Sequence, residues 1–355
     1  MADPPRGFLR RHARKFVISA CTVGGAYALY KFVQWKWASR AAEEEARRLD
    51  VARLEHHFES NQRTCDMTAR SLLPMLRTSL FEHVNVERLI AALKSSSSSN
   101  KSEVWNEVKT KTLTQLLVAV YSACFLHVFL RVQLNIIGGR LYLESAEKED
   151  EEEKTKKKKG ANFLPITQTV QTRYLNLVEC LFDTGMIGLV KFVDDVVERR
   201  MDEIGLKERF DATRFSQFVE EIRRDIEGDD QTSMARLVGA SLPTNGGIFN
   251  VNSQSLSHAE KDQLQGLVEA TRDFLENPDF CHVLGKCIEA GFSVAVQSVE
   301  RKIDKDAVPL AKLLPMVVVD VVPTLLKDSS EFFNRIMELP TLQKFAENVY
   351  DAFRR

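Results

Sequence analysis

Residues 112–130, TLTQLLVAVYSACFLHVFL, are 19 mostly apolar residues without a formal charge. A run of this length is a transmembrane candidate, because roughly 20 apolar residues cross a bilayer. Thr112, Gln115, Tyr121 and His127 make the run less apolar than a typical span. A helix that is apolar on every side is also what the centre of a large helical bundle requires. The run therefore predicts a helix in one of two environments, and we favour a buried central helix.

The N-terminus carries a second apolar run. Residues 16–30, FVISACTVGGAYALY, follow the basic tail 1–15 and precede KFVQWKW. A basic flank, an apolar core and an aromatic exit are typical of a membrane anchor. The uncharged core is short, but Lys31 and Lys36 can direct their charges toward the headgroups and extend it. We predict an anchor at residues 16–37, with a signal or targeting peptide as the alternative.

The remaining chain, residues 38–355, is helical in pattern. The full chain is 44% hydrophobic, which is enough for a substantial core, and no segment shows a convincing strand alternation. The segment ESAEKEDEEEKTKKKKG, residues 144–160, is a charged low-complexity stretch that we interpret as a solvated loop. The sequence therefore predicts an all-α protein. Two helix starts are also predicted, one capped by Ser257 in SHAE (257–260) and one capped by Asn277 before Pro278 in ENPDF (276–280).

The stretch HHFESNQRTCDMT, residues 56–68, resembles a metal or nucleophile site at first sight. A zinc site on His56, His57 and Cys65 lacks a fourth ligand at a familiar spacing. Adjacent histidines on a helix point about 100° apart, so both rarely reach one metal. We therefore expect no metal and no catalysis here, and interpret Ser60 or Asn61 as the polar start of a new helix.

Several function classes are disfavoured by the whole sequence. The net charge of −1 gives no electrostatic argument for nucleic acid binding. The six cysteines form no CxxC pair, which favours free thiols over disulfides or zinc. The sequence has no phosphate-binding glycine loop, no HExxH and no GxSxG. We expect no enzyme activity, no catalytic residues and no cofactor.

Four stretches of the sequence are distinctive: HFESNQRTC at 57–65, RVQLNIIGG at 131–139, TRDFLENPDF at 271–280 and FAENVYDAF at 345–353. Together they resemble the peroxin-3 family, peroxisomal membrane proteins that dock peroxin-19. The first two are long and unusual, and the resemblance extends over nearly the whole chain. The five-serine linker at 95–99 and the charged segment depart from the family pattern.

The resemblance implies an elongated helical bundle in the cytosol, held at the peroxisomal membrane by one N-terminal span. Residues 112–130 would then be the buried central helix. Counting positive charges places the N-terminus in the cytosol, whereas the family places residues 1–15 in the matrix. We follow the family. The domains would be the tail 1–15, the anchor 16–37 in the bilayer and the docking domain 38–355.

The resemblance also implies a function. The chain would bind the N-terminal amphipathic helix of peroxin-19, contact membrane-protein cargo only indirectly and support peroxisome biogenesis. A tryptophan at the start of the long helix is central to the family's groove. The implied partner-binding residues are Trp105, Lys101, Leu93 and Lys94, and helical spacing adds Ile90 and Val108 as neighbours.

The residues alone leave the role of Trp105 open. Val104, Trp105 and Val108 form an apolar stripe beside a polar loop. A tryptophan there is either a core anchor or an exposed binding hot spot, and the residues alone favour the core. The resemblance favours the hot spot. Two alternatives remain, a helical tether or adaptor for other partners and a membrane-associated lipid enzyme.

Overall fold

The structure, a computed structural model, describes residues 6–95, 101–153, 165–228, 231–241, 256–303 and 307–354. Nearly all of these residues are helical, which confirms the all-α prediction. The helices are α1 (Arg6–His83), α2 (Val86–Ser95), α3 (Lys101–Glu153), α4 (Gln168–Leu175), α5 (Glu179–Phe182), α6 (Thr184–Met201), α7 (Ala212–Glu227), α8 (Gln231–Ser241), α9 (His258–Glu276), α10 (Pro278–Glu300), α11 (Leu310–Met316), α12 (Val322–Leu325), α13 (Glu331–Met337) and α14 (Pro340–Phe353), with a 3₁₀ turn at Asn176–Val178 and a π turn at Val317–Val321.

One short strand pair was not predicted from the sequence. Strands β1 (Arg209–Phe210) and β2 (Val308–Pro309) pair antiparallel, with Arg209 opposite Pro309 and Phe210 opposite Val308. Two residues are too few for an alternating pattern, so periodicity gave no signal.

The chain divides into two units, residues 1–57 and residues 58–355, and α1 contributes to both. In the first unit the predicted anchor, 16–37, is part of α1. The side chains of residues 6–30 lie outside the described part of the structure. Trp35 and Trp37 are 67% and 71% exposed.

In the second unit α3 is the central helix, in contact with α2, α6, α10 and α14. Within the described part of the chain, α3 is the single helix long and apolar enough to cross a membrane. The apolar part of this helix is nevertheless completely buried inside the protein. Protein covers the apolar side chains on every side of the helix, so they need no contact with lipid. The prediction of a buried central helix is therefore confirmed.

Three polar side chains within this apolar run donate hydrogen bonds to partners in the bundle. Thr114 Oγ1 donates to Asp194 at 2.8 Å, and Gln115 Nε2 donates to the Val84 carbonyl at 2.7 Å. The Tyr121 hydroxyl donates to Glu227 at 2.9 Å. Because buried polar groups are costly without partners, these bonds explain why a helix this apolar carries them.

Two sequence predictions about helix boundaries are wrong. Helix α1 continues without a break through Ser60 and Asn61, so neither residue starts a new helix. The predicted loop 144–160 is helical as far as Glu153, and residues 154–160 lie outside the described part. Glu144 is buried there and accepts a hydrogen bond from the Ile166 amide at 2.8 Å. Glutamate, alanine and lysine favour helix, so the charged composition does not oppose it.

Two predicted helix starts are confirmed. Ser257 and Glu260 form a reciprocal capping box at the beginning of α9. Asn277 Oδ1 accepts from the Asp279 amide at 2.8 Å, with Pro278 in the first turn of α10. Both starts depend on contacts within four residues, which is why sequence alone predicts them.

Candidate docking surface on helices α2 and α3

The six predicted partner-binding residues lie on the end of α2 and the first turns of α3, two helices that pack against each other. Ile90 and Trp105 are half-buried and pack at the edge of the hydrophobic core, and Leu93 is also half-buried. Lys101 is exposed, whereas the Lys94 side chain lies outside the described part. We use the name Trp105 surface for Ile90, Leu93, Lys101, Val104 and Trp105.

Val108 differs from the other predicted contacts because it is completely buried. It cannot touch a partner in this structure. Its position one turn after Val104 gives it a supporting role, in which it fills the core beneath the half-exposed side chains.

The start of α2 is fixed by two polar contacts. Asn85 Oδ1 accepts from the Arg88 amide at 2.8 Å, which caps the first turn of the helix. Gln115 of α3 holds the Val84 carbonyl just before that turn. Together these bonds position the apolar residues of α2 beside α3.

The first turns of α3 are held by a lysine that was not predicted from the sequence. Lys109 is 4% exposed, and its ammonium donates to the carbonyls of Met201 and Ile204 at 2.6 and 2.9 Å. Burial lowers the pKa of Lys109, and Asp202 partly opposes that effect. These carbonyls lie at the C-terminal end of α6, where a cation is favourable. A lysine among the apolar positions that follow Trp105 was the sequence signal that could have identified this contact.

A second group of residues that the sequence did not identify as a unit joins α1 to α3. Arg131 is 5% exposed at its side chain and contacts Asp66 at 2.5 Å and the Gln62 side chain. Asn135 Oδ1 accepts from Asn61 at 3.0 Å and from Gln62 at 2.7 Å. We call these five residues the Arg131 network. It connects two of the four resemblance motifs, 57–65 and 131–139.

The other two motifs pack nearby in the same unit. A Cβ added to Gly139 would lie 2.7 Å from the Tyr350 carbonyl, so α3 and α14 approach closely at this glycine. The Phe58 and Tyr350 rings lie 5.2 Å apart, and Phe274 lies 6.4 Å from Phe345. All four motifs therefore contribute contacts between helices.

The HHFESNQRTC stretch has a structural role at its cysteine. Cys65 is 2% exposed, and burial raises the pKa of its thiol to about 12. A thiol held neutral is a poor nucleophile and a poor metal ligand. Within the described residues, no group of three His, Cys, Asp or Glu side chains is placed to hold a metal ion.

Comparison with known proteins adds the family. The sequence model of the Peroxin-3 family matches residues 7–100 and 94–352. The chain belongs to the peroxin-3 family. It is 35% identical to mouse (Mus musculus) peroxisomal biogenesis factor 3 over 368 residues, covering 98% of this chain and 96% of the relative.

Two further relatives extend the comparison. Human (Homo sapiens) peroxisomal biogenesis factor 3 is 33% identical over 369 residues, covering 98% of this chain and 96% of the relative. Peroxisome biogenesis protein 3-2 of Arabidopsis thaliana is 23% identical over 370 residues, covering 98% of both chains. As a peroxin-3, the chain has a role in peroxisome biogenesis, associates with peroxisomes and is not an enzyme.

Proposed function

We propose that this peroxin-3 is a membrane-anchored docking receptor for peroxin-19. It binds the N-terminal amphipathic helix of peroxin-19 on the Trp105 surface, and so supports the insertion of membrane proteins that peroxin-19 carries. The observation that carries the proposal is the half-buried Trp105 at the edge of the core, beside the half-buried side chains of α2.

The composition of the Trp105 surface suits a helix as the ligand. An amphipathic helix binds by laying its apolar face into a groove between helices. Ile90, Leu93 and Trp105 supply apolar area from two helices, and tryptophan is enriched among binding hot spots. Lys101 adds an exposed positive charge one turn before Trp105, where it can meet an acidic residue of the partner.

We further propose that residues 16–37 cross the peroxisomal membrane once, with residues 1–15 in the matrix and 38–355 in the cytosol. The exposed Trp35 and Trp37 support an aromatic exit at the interface. The burial of the apolar run of α3 supports a single anchor. Deleting residues 1–40 should therefore yield a helical protein that stays in solution without detergent and still binds the peptide. A deletion variant that requires detergent would contradict this topology.

Tryptophan fluorescence tests the docking site directly, because the chain has only three tryptophans. In the full chain with Trp35→Phe and Trp37→Phe, Trp105 is the single emitter. Adding a tryptophan-free peroxin-19 N-terminal peptide should shift the emission to shorter wavelength and protect it from iodide, because binding removes water from the indole.

The matched control is Trp105→Phe, which leaves only Trp35 and Trp37 as emitters. Its emission should not respond to the peptide. Peptide binding without any change at Trp105 would contradict the assignment of this surface.

A further inference from the structure

A groove lies in the second unit between the C-terminal part of α1 and the residues that follow α12. Its volume is about 870 Å³. We call it the α1 groove, and it shares no residue with the Trp105 surface. Its lining residues are Met67, Arg70, Ser71, Leu73, Pro74, Arg77, Thr78, Phe81, Leu326, Lys327 and Asp328.

The floor of the α1 groove is apolar. Leu73 and Leu326 are buried, and Phe81 is half-buried. Met67 is 71% exposed at one end. An unbranched thioether adapts to different apolar partners, which is why methionine is common on binding surfaces. Large apolar side chains left in contact with water favour a ligand that covers them.

The charges around the floor are mainly positive. Arg70, Arg77 and Lys327 line the groove together with a single acid, Asp328. The Arg70 guanidinium lies 4.2 Å from the Phe333 ring centroid and donates to the Asp328 carbonyl, and that of Arg77 lies 5.4 Å from the Phe81 centroid. Within the described part of the chain, none of these three cations forms an ion pair with a carboxylate. The groove therefore favours an acidic ligand.

Spacing indicates the form of that ligand. Arg70 and Arg77 are seven residues apart on α1, which separates them by about 10 Å along the helix axis. A partner helix lying along α1 repeats its side chains with the same seven-residue period. Its acidic residues would meet the two arginines, and the apolar residues between them would cover the floor.

Proline adds a polar feature to one wall. Pro74 lies inside α1 and has no amide hydrogen, so it cannot donate to the carbonyl of Arg70 four residues earlier. The geometry points to the α1 groove as a second docking site, which binds an acidic amphipathic helix of another protein.

The probe is a designed helical peptide of about 18 residues, five turns, with leucines on one face and glutamates seven residues apart beside them. Binding to the full chain in nanodiscs is measured by fluorescence anisotropy, and a photo-crosslinker at position 71 reports the location. We expect binding and crosslinking in both the wild type and Trp105→Ala. Arg77→Glu with Lys327→Glu should weaken binding about tenfold or more, because two attractions become repulsions.

Two controls make the result specific. Lys191→Glu with Lys261→Glu makes the same change in net charge at exposed lysines outside the groove, and should leave the affinity unchanged. Thr78→Trp fills the groove without changing charge and should also abolish binding, with unaltered helical content. Equal binding of a matched lysine peptide, unchanged affinity in the double-reversal variant, or displacement of the peptide by anionic vesicles would overturn the proposal.

Discussion

Helix α3 carries two regions that differ in how their side chains are satisfied. In the Arg131 network every named side chain has a partner inside the protein, and the arginine is almost fully buried. On the Trp105 surface the apolar side chains are only half covered, and Lys101 is exposed. The first region completes the fold, whereas the second gains from a ligand that covers it. We therefore expect substitutions in the Arg131 network mainly to lower the free energy of unfolding, and substitutions on the Trp105 surface mainly to lower the affinity for the ligand.

The largest effect should come from Arg131→Ala. Removing this side chain leaves Asp66 and the Gln62 amide without their buried partner, and breaking a buried ion pair costs about 3–5 kcal/mol. Because Asp66 is 40% exposed, we expect the lower end of that range, about 3 kcal/mol, in urea unfolding. The affinity for the peroxin-19 peptide per folded molecule should not change.

Arg63→Ala is the matched control for this change. Arg63 is on the same helix as Asp66 and lies 3.6 Å from Glu59, but its side chain is 74% exposed. Its loss should cost less than about 1 kcal/mol. Equal losses from both substitutions would remove the distinction between a buried network and surface charge.

His127, one turn before Arg131, should make stability depend on pH. Its Nδ1 donates to the Ala123 carbonyl at 2.6 Å, and burial lowers its pKa from 6.5 to about 4. The unfolded chain then binds a proton more readily than the folded chain between these values. Stability is complete above pH 6.5 and falls toward pH 4, by roughly 3 kcal/mol for this residue.

The comparison with His127→Phe isolates that contribution, since every other titrating group is unchanged. Denaturant unfolding at a series of pH values should give a shallower loss for the variant than for the wild type. Parallel pH curves would show that His127 is not the group responsible.

Close helix packing predicts a smaller effect at Gly139. A Cβ there would lie 2.7 Å from the Tyr350 carbonyl, a backbone atom that cannot move alone. Gly139→Ala should destabilise by about 2 kcal/mol through overpacking. Gly266→Ala is the control, because a Cβ at that helical position meets nothing within 4 Å. It should stabilise by about 0.5–1 kcal/mol, and destabilisation at both glycines would contradict the packing argument.

Features that depend on contacts between near neighbours in sequence are predictable, whereas features that depend on distant residues are not. The apolar run 112–130 and the cap at Ser257 depend on pattern and near neighbours, and sequence predicts both. The prediction of a helix start at Asn61 is wrong because the partner of this side chain, Asn135, is 74 residues away. The prediction of a loop at Glu144 is wrong for a similar reason, since its partner Ile166 is also distant in sequence.

The candidate surface shows the same limit. Spacing groups Val104, Trp105 and Val108 on one stripe, but it does not show that Val108 is buried while Trp105 stays half covered. Gln115 and Lys109 hold the start of α2 and the end of α6 against α3, and spacing along α3 does not reveal these long-range contacts. The motifs that distinguish the family in sequence serve the interior, so they did not identify the Trp105 surface by themselves.

The decisive measurement is Trp105→Ala, with unfolding free energy and peptide affinity determined on the same preparation. Loss of a hot-spot aromatic should weaken binding of the peroxin-19 N-terminal peptide by on the order of 2 kcal/mol, about 30-fold. Because Trp105 is half-buried, stability should fall by less than the affinity does. Lys101→Ala should cost less affinity, since its charge is exposed to solvent. A stability loss of about 3–5 kcal/mol with unchanged affinity per folded molecule would show that Trp105 is a core residue and contradict the docking assignment.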